Sequence, residues 1–428
     1  SSPPGADAAP NDQPARNTVF GGVIGNVLEW YDFAIYGLMA PILGAKFFPS
    51  DDPTASLLAA FGVFAVGYAA RPLGSIVIGH IGDRYGRKLA LVFSLSLMGL
   101  ATLGMAILPT HAQVGVTAAV LIVLLRLFQG FSAGGESGSS IVFLAEHAPT
   151  ARRCTRASWA QFGTVAGILA GSAVGSATSA ALGEGAMHDW GWRIPFALGA
   201  VTAVLGIVVR RNLTEPPGHQ HRSGSETLPV VVAVRDYWRP LLHMATFVPV
   251  ATIGFYLAFI YVASYLTEQM HFSTAKALEI NSISLIVMLA LTVPCAMLSD
   301  RIGRRPILLA AAVGIIVLSW PLWWLMHRDA FALVLAGQIG FAAMFGFMFS
   351  SMQTVMAEML PSRVRCTGSS LVANVCTGLV GGTTPLVATY LVARTADDFA
   401  PVYYLIAAGI LLLGGAFFLR ETAGKPLP

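Results

Sequence analysis

Two carboxylates lie near the middle of an apolar run. In Gly25-Asn-Val-Leu-Glu-Trp-Tyr-Asp-Phe-Ala-Ile-Tyr36, Glu29 and Asp32 fall inside a stretch from about Val19 to Leu43. Such a stretch can cross a bilayer whose hydrocarbon core is about 30 Å thick. A charge at that depth costs roughly 2.5–3.5 kcal/mol on the insertion scale, so each acid must face protein or water rather than lipid. Helical spacings of 4, 3 and 4 put Gly25, Glu29, Asp32 and Tyr36 on one face. Two acids three residues apart repel when both are ionised, so at least one is expected to hold a proton or a cationic partner. A proton-coupling site needs that property. The same residues could equally lock the helix to a neighbouring Arg.

Arg71 and Arg126 supply matching cations within two further apolar runs. A guanidinium stays charged at physiological pH and grips a carboxylate through a two-pronged fork. Two of them facing one cavity would suit a multivalent organic anion, although Arg71 can also pair with Glu29 or Asp32. Arg126 opens an i, i+4 row with Gly130, Gly134 and Gly138, which reads as a packing stripe. Glu136, on another face of that run, is a second candidate proton site or the partner of a loop Arg. Asn26, Gln161, Gln353 and Asn374 are polar at membrane depth, as substrate ligands or as interhelical glue. Tyr256 and Tyr261 belong to an aromatic-rich run, and their hydroxyls need partners there.

The positioning elements are apolar helices. Of 428 residues, 55% are hydrophobic and 11% charged, and mean hydropathy is +0.68. Soluble chains carry about 25% charged residues, so this is a polytopic membrane protein. The apolar runs define twelve spans, at roughly 19–44, 55–80, 89–108, 117–145, 157–182, 193–211, 240–267, 275–298, 306–326, 330–356, 367–393 and 400–419. The intervals after spans 2, 4, 6, 8 and 10, with the two termini, hold 19 of the 26 Lys and Arg residues. The positive-inside rule therefore predicts cytoplasmic termini. The basic residues read as topology signals, and no nucleic-acid partner is expected. Four cysteines without paired spacing predict reduced thiols and no metal site, and no cofactor is expected. Residues 1–18 are expected to be a disordered tail, 213–239 a linker between bundles at 19–212 and 240–420, and 421–428 a second tail. No cleaved signal peptide is expected in the Pro/Ala/Asp-rich start.

The chain repeats itself. Gly79-His-Ile-Gly-Asp83-Arg84-Tyr-Gly86-Arg87-Lys88 returns as Ala296-Met-Leu-Ser-Asp300-Arg301-Ile-Gly303-Arg304-Arg305, 217 residues later. Ala145-Glu146-His-Ala-Pro149 with Arg153-Cys154-Thr155 returns as Ala357-Glu358-Met-Leu-Pro361 with Arg365-Cys366-Thr367, 212 residues later. Two coincidences at nearly one offset predict an all-α fold of two six-helix halves, related by an axis along the membrane normal.

The two Gly-x-x-x-Asp-Arg-x-Gly-Arg-type loops resemble the signature of the major facilitator superfamily. Within it, Gly25-Asn-x-x-Glu29-Trp-Tyr-Asp32-Phe, Arg71-Pro72-Leu-Gly, Arg126-Leu-Phe-Gln129-Gly130 with Gly-Gly-Glu136, and Trp190-Gly-Trp-Arg193-Ile-Pro195 resemble the metabolite:proton symporters. That family includes carriers for citrate, α-ketoglutarate, shikimate and proline/betaine. The resemblance implies alternating-access symport of protons with a small organic anion in the cell inner membrane, by a monomer rather than an enzyme. A di- or tricarboxylate such as citrate or α-ketoglutarate is the expected substrate. A zwitterion such as proline or betaine, shikimate, or a receptor that does not transport, are the alternatives. Glu29, Asp32 and Glu136 would carry protons. Asn26, Arg71, Arg126, Gln161, Tyr256, Tyr261, Asn374 and Thr383 would contact substrate, Thr383 because Thr383-Thr384-Pro385 resembles citrate carriers. Asp83, Arg84, Arg87, Asp300, Arg301 and Arg304 would gate the cytoplasmic side, with Glu146 and Glu358 as partners of Arg84 and Arg301.

Overall fold

The computed structural model describes residues 13–85, 87–134, 139–146, 148–211, 229–328 and 330–428; their regular structure is all helical. Span 1 is Gln13–Leu38 continued by Ala40–Phe47, and span 2 is Pro53–Ala69 with Arg71–Tyr85. Spans 3 to 6 are Arg87–Ile107, Val116–Gly134 with Ser139–Glu146, Arg153–Ala186, and Arg193–Arg211. Span 7 runs through Trp238–Met244, Val248–Tyr256, Leu257–Tyr261 and Val262–Glu268. Spans 8 to 10 are Thr274–Ile302, Arg304–Met326 and Phe331–Glu358. Span 11 joins Ser362–Cys376, Thr377–Gly381 and Thr384–Thr395, and span 12 is Ala400–Phe418.

Two segments are helical where none was expected, and the expected C-terminal tail has contacts of its own. Helix begins at Gln13, inside the stretch expected to be a tail; residues 1–12 lie outside the described residues. The expected linker is helical at its end, as Pro229–Asp236 packed against Ser362–Cys376; Ala233 is buried in that contact and Val232 half-buried. Residues 421–428, expected to be a tail, are docked. Glu421 accepts backbone N–H bonds from Arg304 and Arg305, both at 3.0 Å, and strap-like contacts continue to Lys425 and Pro428.

Packing within each half follows the small residues. A Cβ added to Gly130 would lie 1.6 Å from the Gly67 carbonyl oxygen, and one on Gly134 2.0 Å from that of Arg71. Spans 2 and 4 thus meet backbone to backbone, as helices must when lipid offers no hydrophobic drive between them. Between halves, span 5 lies along span 8, span 2 against span 11, and span 1 against the middle of span 7. Spans 5 and 2 of the first half correspond by the repeat to spans 11 and 8 of the second, so the two long contacts are pseudosymmetric copies.

Spans 7 and 11 each contain a π-helical turn, Leu257–Tyr261 and Thr377–Gly381. Such turns concentrate at functional sites because they re-aim side chains along one helix. Both turns lie next to residues that line the space between the halves.

Candidate functional site

That space is a cavity of about 160 Å³, walled by both halves. Asn26, Glu29, Arg71, Gln161, Tyr256 and Asn374 line it. The repeat therefore brings together six of the expected proton or substrate residues. Arg126, Asp32, Tyr261 and Thr383 do not line it, and Glu136 lies outside the described residues.

Glu29 and Arg71 are the only charged side chains on the described cavity wall. Arg71 Nη2 donates to Glu29 Oε1 at 2.7 Å, and both are buried. Burial removes the water that would screen them, so this pair is held by direct contact at high desolvation cost. Gln353 Nε2 donates to Gln161 Oε1 at 2.6 Å, tying span 10 to span 5 across the cavity. Asn26 donates to the Ala160 carbonyl at 3.0 Å. Trp30, Phe255, Tyr256 and Phe349 supply aromatic wall.

Asp32 and Arg126 sit behind this wall. Although Glu29 and Asp32 are three residues apart, they serve different neighbours. Asp32 Oδ2 accepts from Thr102 Oγ1, which accepts from Gln129 Nε2, and Gln129 Oε1 accepts from Arg126 Nη1, each at 2.9 Å. The chain links spans 1, 3 and 4. Span 6 closes it: a Cβ on Gly199 would lie 2.5 Å from Asp32 Oδ1. The Arg126 guanidinium carbon lies 4.4 Å from the Tyr36 ring, 4.8 Å from Phe33 and 5.2 Å from Phe64. Aromatic faces attract a desolvated guanidinium through their quadrupoles. Phe33 is shared, since the Arg71 guanidinium carbon lies 5.4 Å from the same ring.

Arg126, expected to contact substrate, is set back from the cavity wall: its surroundings are rings and Gln129. Tyr261 packs its ring against Phe61 at 6.4 Å and Tyr265 at 6.2 Å. Thr383 Oγ1 donates to Leu379 O at 2.7 Å, within its own span. Helical periodicity assigns a face to each residue, but the neighbour that covers the face is a tertiary fact.

Residues expected to gate, with Arg153 and Arg365, form a cross-half network on the side that bears the basic loops. Arg153 Nη1 donates to Glu358 Oε1 at 2.7 Å, and Arg365 Nη1 to Glu146 Oε1 at 2.6 Å. These residues are repeat equivalents, so each half's Arg takes the other half's Glu. Asp300 accepts from Cys154 N at 3.0 Å and Thr155 N at 2.9 Å, capping span 5 from the opposite half. Arg304 contacts both Asp300 at 3.1 Å and Glu358 at 3.2 Å. The expected pairing of Glu358 with Arg301 is corrected, because Arg301 is exposed. The side chains of Asp83, Arg84 and Arg87 lie outside those described, so their roles and the expected Glu146–Arg84 contact do too; Glu146 meets Arg365. Arg153 and Arg365 were visible in the repeat as the residues seven beyond each Glu; Thr102 carried no signal in its apolar run.

The opposite side is also bridged. Glu184 accepts from Thr274 N at 2.8 Å, and Ser172 and Ser176 donate to Leu278 O and Ala275 O at 2.9 and 3.0 Å. Polar contacts between the halves thus flank the cavity on both sides.

Comparison with known proteins agrees with this architecture. The family model of the Major Facilitator Superfamily matches residues 22–385 and again 280–428. A proline/betaine transporter of Escherichia coli K12 is 32% identical over 430 residues, covering 97% of this chain and 86% of the relative. A glycine betaine/proline/ectoine/pipecolic acid transporter of Dickeya dadantii is 32% identical over 429 residues, covering 97% and 85%. Among solved structures, the proton:xylose symporter XylE bound to 6-bromo-6-deoxy-D-glucose superposes with a TM-score of 0.77 at 19% identity, covering 97% of this chain and 98% of that one. Repeat, fold and matches together establish that the chain belongs to the major facilitator superfamily, as a membrane transporter and not an enzyme.

Proposed function

We propose that the chain is a proton-coupled symporter of small zwitterions of the proline and betaine class, working by alternating access between its halves. The charge of the cavity carries this reading. Its described walls hold one cation and one anion, Arg71 and Glu29, already paired at 2.7 Å. A ligand with one carboxylate and one ammonium adds no net charge to such a space, so the coupled proton is the only charge gained. A tricarboxylate would bring charges that one guanidinium cannot match in a desolvated site. The tricarboxylate reading needs Arg126 as a second cation, and that residue is enclosed by Tyr36, Phe33 and Phe64. The printed substrates of the Escherichia coli and Dickeya dadantii relatives support the same choice.

Coupling follows from an exchange of partners. The ligand carboxylate takes Arg71 from Glu29. Glu29, having lost that counter-charge inside protein, takes a proton. On the side where protons are scarce, the proton leaves, Glu29 regains Arg71 and the ligand is expelled. Asp32 and Arg126 form a second acid–base couple, joined through Thr102 and Gln129. Arg153–Glu358 and Arg365–Glu146 open when the basic side, read as cytoplasmic, admits the cavity to water.

The test is uptake by purified protein in liposomes, acid outside, with labelled proline, glycine betaine, citrate, tricarballylate, α-ketoglutarate and shikimate. Proline and glycine betaine should accumulate, and a protonophore should collapse both. Accumulation of citrate or α-ketoglutarate alone would overturn the zwitterion reading. Binding with no accumulation would make a receptor the better account.

A further inference from the structure

Two different surfaces meet at the cavity, and they suit different ammonium groups. One is a run of rings. Trp30 and Phe255 meet edge to face with centroids 6.1 Å apart and planes at 80°, and Phe255 meets Phe349 at 5.7 Å and 86°. Trp30 comes from the first half, Phe255 and Phe349 from the second, and all three line the cavity. The other surface is an amide oxygen. Gln353 spends its Nε2 on Gln161, and its Oε1 is buried on the cavity wall without a hydrogen-bond partner among the described residues.

We infer that the site sorts zwitterions by N-methylation, with the Trp30–Phe255–Phe349 wall taking the methylated ammonium and Gln353 Oε1 taking an ammonium that still bears N–H. This rests on the zwitterion reading above and adds which residues set preference within it. A trimethylammonium group has no N–H to give, so an unmatched acceptor gains nothing from it. It is bulky, sheds water easily, and its diffuse charge is attracted by ring faces within about 6 Å. A secondary ammonium, as in proline, donates two hydrogen bonds. Leaving its donors unpaired in a dry site costs more than the ring contact returns. Gln353 Oε1 offers the acceptor, and hydrogen bonds to charged groups are the stronger kind. In both cases the carboxylate end goes to Arg71, so the two ligands share one anchor and differ at the other.

The inference predicts a double dissociation. Phe349→Leu keeps the wall apolar but removes the ring, and should raise the half-saturating concentration for glycine betaine about tenfold while moving proline by less than about threefold. Gln353→Leu should do the reverse, weakening proline about tenfold more than glycine betaine. Because Gln353→Leu also removes the bond to Gln161, Gln161→Leu serves as its control and should lower both ligands together. The unlabelled series glycine, sarcosine, dimethylglycine and glycine betaine, competing against labelled glycine betaine, should gain potency at each methyl in wild type and lose that gradient in Phe349→Leu. If wild type accumulates both zwitterions and each variant changes them equally, the sorting inference fails and the transport reading stands. If wild type accumulates neither zwitterion, the transport reading fails and the inference with it.

Discussion

At the residue scale, the two acids of span 1 illustrate how far spacing reaches. Their depth and mutual distance gave each a need for a cation, and each has one nearby, but through different routes. Glu29 meets Arg71 directly at 2.7 Å, and Asp32 is joined to Arg126 through two uncharged side chains. The cations were legible because charges in apolar runs are conspicuous. That only one of them faces the cavity was not, because the rings covering Arg126 come from spans 1 and 2 by tertiary packing. Two substitutions probe these sites. Arg71→Lys keeps the charge and loses the planar fork, so uptake affinity should fall about tenfold or more with little change in thermal stability, read by uptake kinetics and melting together. Gly199→Ala places a methyl 2.5 Å from Asp32 Oδ1. It should destabilise the first half by roughly 1–3 kcal/mol through overpacking and depress uptake, whereas Gly62→Ala, where nothing lies within 4 Å, should be silent.

At the element scale, helices end on the other half of the molecule. Span 5 is capped by Asp300, so opening the basic side uncaps a long helix, whereas span 8 keeps its own N-cap, Ser273, and takes from Glu184 one further bond at Thr274 N. N-cap loss costs about 0.5–2 kcal/mol, enough to bias a two-state equilibrium without locking it. Glu358→Gln should release the basic side, because Arg153 and Arg304 would lose their shared counter-charge. Cys154 is a built-in reporter: it is fully buried, with its Sγ 3.3 Å from Ser350 O of the other half. With Cys295, Cys366 and Cys376 replaced by Ser, Glu358→Gln should speed maleimide labelling of Cys154 about tenfold. An unchanged rate would count against gating by this pair. The segment after span 12 adds a pH dependence. Glu421 feels some burial pushing its carboxyl upward, but the backbone N–H groups of Arg304, Ala423, Arg305 and Thr422 hold it below the usual Glu range. A depressed carboxyl stabilises above its ordinary value and loses that contribution as pH falls through the lower one. The strap should therefore stay docked at neutral pH and detach only in acid, which a fluorophore on Ala423→Cys would read. Gly303 permits this contact: its φ of 105° is strained for other residues, and Glu421 occupies the place of a Cβ.

At the scale of the whole molecule, duplication explains both the fold and the cross-half ion pairs. A repeat offset near 212 residues places Glu146 with Glu358 and Arg153 with Arg365. A pseudo-two-fold axis then turns each half's Arg onto the other's Glu, as a symmetric dimer interface would. This level was the most legible in the sequence, since apolar length, basic-loop bias and two matched motifs all point to one architecture. The helical linker end, the two π-turns and the docked terminal strap were not legible, because each depends on a surface that exists only after the halves pack. In the proposed coupling, ligand carboxylate and Glu29 exchange places on Arg71 and Glu29 then takes a proton. Proton uptake from a weakly buffered dye solution, on adding glycine betaine to the purified protein, measures this directly. Wild type should take up close to one proton per ligand bound, and Glu29→Gln should bind ligand with no proton taken up. Ligand binding by wild type without proton uptake, or unchanged uptake in Glu29→Gln, would contradict it.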